Sequence, residues 1–170
     1  IKALIIEGLP EKDTFYNLHV DKNGVTIQEE KELVGKWNYE VMKNLTKKHG
    51  DKIGILSIGP AGEMCMAADN ISVKDPDGNI RSHGRGGLGA VMGSKKIKYI
   101  AIDDAGGPGI QIVDKEKFKK ASVPFAKALV KHPVSGESLK LYGTNVLVNI
   151  LNESGGLPTR NFREGQFAGA

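Results

Sequence analysis

Arg81-Ser82-His83-Gly84-Arg85-Gly86-Gly87-Leu88-Gly89-Ala90-Val91-Met92-Gly93-Ser94-Lys95-Lys96 is the stretch around which the chain is organised. Five glycines fall between Gly84 and Gly93, and no carboxylate occurs between Asp77 and Asp103. Glycine loses the most backbone entropy on folding, so this density implies positive φ angles or a close approach to another group. Free backbone N–H groups beside two arginines and two lysines make a seat for an anion, most commonly phosphate. The alternative is a glycine-rich turn that opens a tightly packed helix. A P-loop is excluded, because the order Gly93-Ser94-Lys95 does not supply G-K-[ST]. Gly84-x-Gly86-x-x-Gly89 matches the dinucleotide fingerprint, with Asp103 or Asp104 about 20 residues on. Yet the residues before it, Asp75-Pro76-Asp77-Gly78-Asn79, are a polar turn rather than the required strand.

A longer pattern decides between these readings. Gly59-Pro60-Ala61-Gly62-Glu63, the block Arg85–Lys96, Tyr142-Gly143-Thr144, Asn149–Glu153 and Leu157-Pro158-Thr159-Arg160-Asn161-Phe162 follow one another in this order. Together with Ile5-Ile6-Glu7-Gly8 and Val34-Gly35-Lys36 they resemble the tungsten-containing aldehyde:ferredoxin oxidoreductase family along nearly the whole chain. The family proteins are several times longer.

The resemblance implies an α+β fold. Residues 1–103 correspond to the later part of a β-rich domain that forms the base for a bis-pyranopterin tungsten cofactor. A glycine-rich boundary follows at 104–109, and 110–170 begin a helical second domain. It implies that Arg81 and the backbone of Ser82 contact pterin phosphate, with Gly84, Arg85, Gly86 and Gly87 completing the block. The Ser82 carbonyl stands where a ligand of the phosphate-bridging magnesium is found. An arginine offers a planar fork suited to phosphate oxygens, so the resemblance and the residue chemistry agree. Ser82-His83 departs from the family's small apolar pair, and the hairpin from Lys74 to Asn79 is longer, which leaves the substrate open.

The family's cysteines for the [4Fe–4S] cluster, and its acid and base residues, fall beyond Ala170. Ile1 is not an initiator methionine, and the expectation is a piece of a longer parent, inactive alone. The implied partners are the rest of the parent, a ferredoxin-like electron carrier, and a second copy or an iron–sulfur subunit. A tungsten-dependent aromatic acyl-CoA reductase shares this architecture. A stand-alone phosphate- or nucleotide-binding module and a structural subunit are the readings from other classes.

Composition bounds the rest. With 39% hydrophobic and 26% charged residues, the 170-residue chain is of a globular kind. A net charge of +4, spread lysines and few aromatics give no nucleic-acid footprint. No apolar run reaches the ~20 residues of a membrane span. No signal peptide is read, which points to the cytoplasm. The single Cys65, between Met64 and Met66, reads as a core position and cannot hold a cluster.

Along the chain, Ile1–Ile6 reads as a buried strand, and Phe15–Val20 with Val25–Ile27 as a hairpin turning at Asp21-Lys22-Asn23-Gly24. His19 is assigned to the solvated face and Glu29–Glu32 to a connector. Trp37–His49 reads as a helix with Asn38 as its cap, Trp37 as a core anchor and Gly50 as its stop. Ile53–Ile58, Met64–Ala68 and Ile71–Val73 read as strands, Leu88–Ser94 as a helix and Ile97–Ile102 as a strand. Lys95, Lys96 and Lys98 are taken as a solvated end of that helix. Beyond the boundary, Asp114 caps a helix carrying Phe118, Ala121, Phe125 and Leu129, with Pro124 inside it. His132–Gly136 reads as a loop, and Thr144 as the cap of a helix too apolar to be a surface element. The tail from Leu157 to Ala170 is irregular.

Overall fold

The alternating run from Phe15 to Glu30 forms a hairpin, β1 (Phe15–Asp21) against β2 (Gly24–Glu30), with Asp21 opposite Gly24. The Asp21 carboxylate accepts the Asn23 N–H at 2.7 Å, and Gly24 takes a positive φ of 133°. A computed structural model describes residues 3–168 and divides the chain into two compact units, Ile1–Gly109 and Ile110–Ala170. The first unit adds β3 (Gly54–Ser57), β4 (Ser72–Lys74), β5 (Ile80–Ser82) and β6 (Ile97–Ile102). The six strands stand in the order β2-β1-β6-β3-β4-β5, with β1 parallel to β6 and every other neighbour antiparallel.

Helices cover both faces of this sheet. On one side α1 (Asn38–His49) places Val41, Met42 and Leu45 against Ile53, Ile55, Tyr99 and Ala101. On the other, Met92 of α3 (Leu88–Ser94) packs with Leu18, Val20, Ile58, Ile97 and Ile100. Burying each such aliphatic side chain contributes about 1.5–3 kcal/mol. Gly50 ends α1 at φ 94°, and its N–H donates to the Thr46 carbonyl.

Several expectations need correction. Residues 3–6 are not a strand and are mostly exposed, Ile5 at 81%, while Ile1 and Lys2 lie outside the described residues. Among the described residues the apolar run pairs with no strand, and it lines an open apolar groove of about 620 Å³ with Tyr16, Val25 and Ile27. Glu29 and Glu30 are not a connector but continue β2, because buried Glu30 accepts from Asn17 Nδ2 and the Leu33 N–H. His19 is half-buried and stacks on His49 at 5.1 Å, because its face of the sheet is the one under α1. Asn38 is not the cap of α1. Its amide donates to Ser72 Oγ and accepts from Ser57 Oγ, and Trp37 is left outside the helix, 71% exposed. Met64–Ala68 form no strand. Pro60 opens the short helix α2 (Pro60–Glu63), Cys65 leaves it at φ 55°, and its thiol is exposed rather than in the core.

In the second unit α4 (Lys115–Lys131) is capped by the Asp114 carboxylate, which accepts the Lys117 N–H at 2.9 Å, and it runs through Pro124. The expected loop after it is a π-helical turn, Pro133–Ser138, whose first N–H groups donate to His132 Nδ1. α5 (Leu139–Tyr142), a tight turn at Gly143–Leu147 and α6 (Val148–Glu153) follow, with Thr144 inside the turn rather than capping a helix. The tail folds back through a bridge between Thr159 and Glu164, and Arg160, Asn161 and Phe162 all take positive φ. None of these helices buries a residue. Phe118 and Phe125 stay 56% and 65% exposed, a state that a stable helical unit does not keep unless a further partner covers it.

Candidate phosphate-binding rim

The central glycine stretch divides into two halves with different physics. Gly87, Gly89 and Gly93 are packing glycines. A Cβ on Gly87 would meet the Ala67 carbonyl at 2.5 Å, and on Gly89 or Gly93 it would collide with Asp69 Oδ2 or the Gly62 carbonyl. Gly87 also takes a left-handed φ of 72° at the start of α3. Helix α3 therefore lies backbone-to-backbone on α2, and the Gly89 N–H donates to the Asp69 carbonyl.

The other half is open. Residues 80–86 are all exposed, and a Cβ on Gly84 or Gly86 would meet nothing within 4 Å. Arg81 sits on edge strand β5 opposite Val73, with Ser82 opposite Ser72. Neither Arg81 nor Arg85 has an ion-pair partner among the described residues. The acid that feels the Arg81 charge is already committed: Asp75 Oδ1 accepts the N–H groups of Asp77 and Asn79, and the Asn79 amide bonds to both oxygens. Those bonds to Asn79 first, with the Arg81 charge a smaller influence, hold the Asp75 carboxyl below its ordinary range. Structure thus brings the sequence-derived residues Arg81, Ser82, Gly84, Arg85 and Gly86 onto one exposed rim and sets Gly87 at its packed end.

On β6, separated from β5 by β3 and β4, lies a charge that sequence reading missed. Lys98 is fully buried, not solvated. Its ammonium donates to Glu63 Oε1 at 2.5 Å, to the Ile58 carbonyl at 2.7 Å and to the Lys36 carbonyl at 2.9 Å. The Glu63 carboxylate in turn accepts the Gly35 N–H. All three ammonium protons are used, the condition for a buried charge to be tolerated. The network joins β6, the end of β3, α2 and the 35–36 loop, and so fixes Gly62, the surface on which Gly93 rests. Lys95 and Lys96 are surface groups, reaching the Gly8 carbonyl and Asp13.

Asp69 is the remaining anomaly, because its Oδ2 is buried against Gly62 and Gly89 with no hydrogen-bond partner among the described residues. Burial pushes its carboxyl above the ordinary value. A raised folded pKa means the folded state binds the proton more tightly. Stability linked to this group is therefore present below the unfolded pKa of 3.8 and is lost as pH rises through the folded value. Asp69→Asn is expected to raise the unfolding midpoint at pH 7 and to have much less effect at pH 4, as read by urea titration. A variant less stable than the parent at pH 7 would show that the carboxylate has a partner.

The rim suits an anion such as phosphate: two exposed arginines stand among glycines whose backbone is open. Metal ligation is a separate matter. No group of three or more His, Cys, Asp or Glu side chains able to hold a metal ion occurs among the described residues, and Cys65 stands alone. Nor is any helix of the described residues long and apolar enough to cross a membrane.

The family model described as aldehyde ferredoxin oxidoreductase, N-terminal domain, matches residues 1–104, and that for domains 2 and 3 matches residues 120–170. A tungsten-containing aldehyde ferredoxin oxidoreductase of Pyrococcus abyssi is 42% identical over 97% of this chain and 26% of its own length. An aliphatic sulfonate oxidoreductase, WOR-like subunit, of Pyrococcus furiosus is 27% identical over 95% of this chain and 26% of its own length. Among solved structures, the active site complex BamBC of benzoyl coenzyme A reductase with 1,5-dienoyl-CoA shares the fold. Its TM-score is 0.56 at 24% identity, over 69% of this chain and 17% of that one. The chain spans about a quarter of the length of the curated relatives it matches.

Proposed function

The chain belongs to the aldehyde ferredoxin oxidoreductase family, and from that premise we propose that it is the part of a tungsten–pterin oxidoreductase that seats the phosphate end of the cofactor. The observation that carries this reading is that Arg81 and Arg85 are exposed beside the open glycines Gly84 and Gly86, with no ion-pair partner among the described residues. Arg81 and the Ser82 backbone hold phosphate oxygens, and Gly84, Arg85, Gly86 and Gly87 complete the seat. The Ser82 carbonyl would be this chain's ligand to a magnesium ion held beside those phosphates. When bound, the tungsten–pterin group supplies two-electron redox chemistry. This chain's own residues neutralise the phosphates and fix the group's position. Ligands for a [4Fe–4S] cluster come from the rest of the parent protein, which also covers the exposed apolar faces of the second unit.

The proposed reaction is the oxidation of an aldehyde, with water, to a carboxylic acid. Two protons and two electrons are released, and the electrons pass to a ferredoxin-like carrier in the cytoplasm. The full-length protein, produced anaerobically with tungstate, is expected to reduce a viologen dye only when an aldehyde is supplied. A protein that ignores aldehydes but reduces an aromatic acyl-CoA with a strong reductant would move the assignment to the reductases. One that holds no tungsten, yet binds nucleotide or phosphate, would be a binding module.

A further inference from the structure

The nine Lys and Arg residues of 110–170 stand against five Asp and Glu, a surplus of four that equals the net charge of the whole chain. Most of this surplus lies on α4, which carries six lysines and a single acid, Glu116. At ~100° per residue, Lys117, Lys120, Lys127 and Lys131 fall within about 80° of one another and form a stripe ~21 Å long. All four are exposed. Lys117 reaches Asp114 at 3.5 Å, and the other three have no ion pair among the described residues.

The stripe belongs to the side of α4 that stays in water. Phe118, Ala121, Phe125 and Leu129 lie about 120° away round the helix, and this is the face that further chain must cover. Lysine is almost never fully buried without a counter-charge, and none of the described residues supplies one to Lys120, Lys127 or Lys131. Pro124 supports the point, since it falls within the lysine stripe. Its missing N–H leaves the Lys120 carbonyl without a helical donor, and water supplies one on a solvent-facing side. An ordinary solvated helix face mixes both signs along its length. Here the acids, Asp114 and Glu116, stand only at the first turn, and from Lys120 to Lys131 lysines are the only charged residues of the helix.

We infer that the lysine stripe of α4 is a docking surface for a small acidic protein. This rests on the reading above that electrons leave through a ferredoxin-like carrier, which the stripe would steer and orient by charge rather than by apolar contact. Steering of this kind raises association rates roughly 10- to 1,000-fold and collapses at high ionic strength.

The test uses the full-length holoenzyme with a small acidic ferredoxin as probe. The triple variant Lys120→Glu, Lys127→Glu, Lys131→Glu is compared with Lys22→Glu, Lys43→Glu, Lys47→Glu, which makes the same charge change in the first unit. Only the first is expected to raise KM for ferredoxin, by about tenfold or more at low salt. Its viologen-linked kcat should be unchanged, and the difference should vanish near 0.5 M salt as screening takes over. Binding followed by surface plasmon resonance should show the same loss in association rate. Equal effects from both triples, or an unchanged KM and association rate, overturn the proposal while dye-linked activity leaves the proposed function standing. Absent dye-linked activity in the unaltered holoenzyme removes that function, and the binding arm then decides the docking surface alone. Loss of binding to anionic vesicles with ferredoxin binding intact would place a membrane on this face, and also overturns it.

Discussion

Lys98→Met is expected to destabilise the first unit by about 3–5 kcal/mol, because it leaves Glu63 buried without its counter-charge. The Glu63 side chain is only 9% exposed, and its one other donor among the described residues is the Gly35 N–H. A domain's whole stability is about 5–15 kcal/mol, so the loss is large. The methionine fills the stem of the lysine, and the change is therefore electrostatic rather than a cavity. Adding Glu63→Gln should recover much of the loss, since the unpaired charge is gone, although the Ile58 and Lys36 carbonyls stay without their donor. Urea unfolding followed by fluorescence of Trp37, the chain's one tryptophan, reads both variants. A single variant within about 1 kcal/mol of the parent would mean that the pair is not buried in solution.

How far the sequence carried the fold depends on which residues did the work. The hairpin at Asp21–Gly24, the Gly50 stop, α3 and β6 were legible, because each is set by local chemistry: a two-residue turn, a left-handed cap, a 3.6-residue or a continuous apolar pattern. Lys98 was not, because a lysine between apolar strand residues ordinarily marks a wet face, whereas β6 is covered on both sides. The signal was present in Ile97-Lys98-Tyr99-Ile100-Ala101-Ile102, which is too apolar throughout for a half-exposed strand. Trp37 and Cys65 were misjudged for a related reason. Residue type gives an average burial, while Asn38 and Pro60 decide where those side chains point.

The glycine stretch is legible in the sequence, but its division is not. Gly84 and Gly86 look like Gly89 and Gly93 in sequence, and only the approach of Gly62 and Asp69 separates open glycines from packed ones. Asp75 was missed as a neighbour of Arg81 because a β-hairpin, not sequence adjacency, brings them near.

Arg81→Ala carries the second large expected effect, on cofactor retention rather than on folding. Arg81 is exposed, and its edge strand makes its backbone bonds whatever the side chain, so the unfolding midpoint should hardly move. A hydrogen bond from a charged donor to phosphate contributes about 1.5–3 kcal/mol, equivalent to roughly a tenfold to hundredfold loss in affinity. Arg85→Ala is the comparison, since Arg85 follows Gly84 on the same rim but three residues beyond the end of β5.

The direct measurement is therefore tungsten and pterin content per mole of full-length protein, for both variants and the parent, with tungstate limiting. The account expects Arg81→Ala to fall well below the parent in both, in step, with its unfolding midpoint unchanged. Full tungsten and pterin in Arg81→Ala, together with full content in Arg85→Ala, would contradict it and leave the glycine stretch as a packing turn alone.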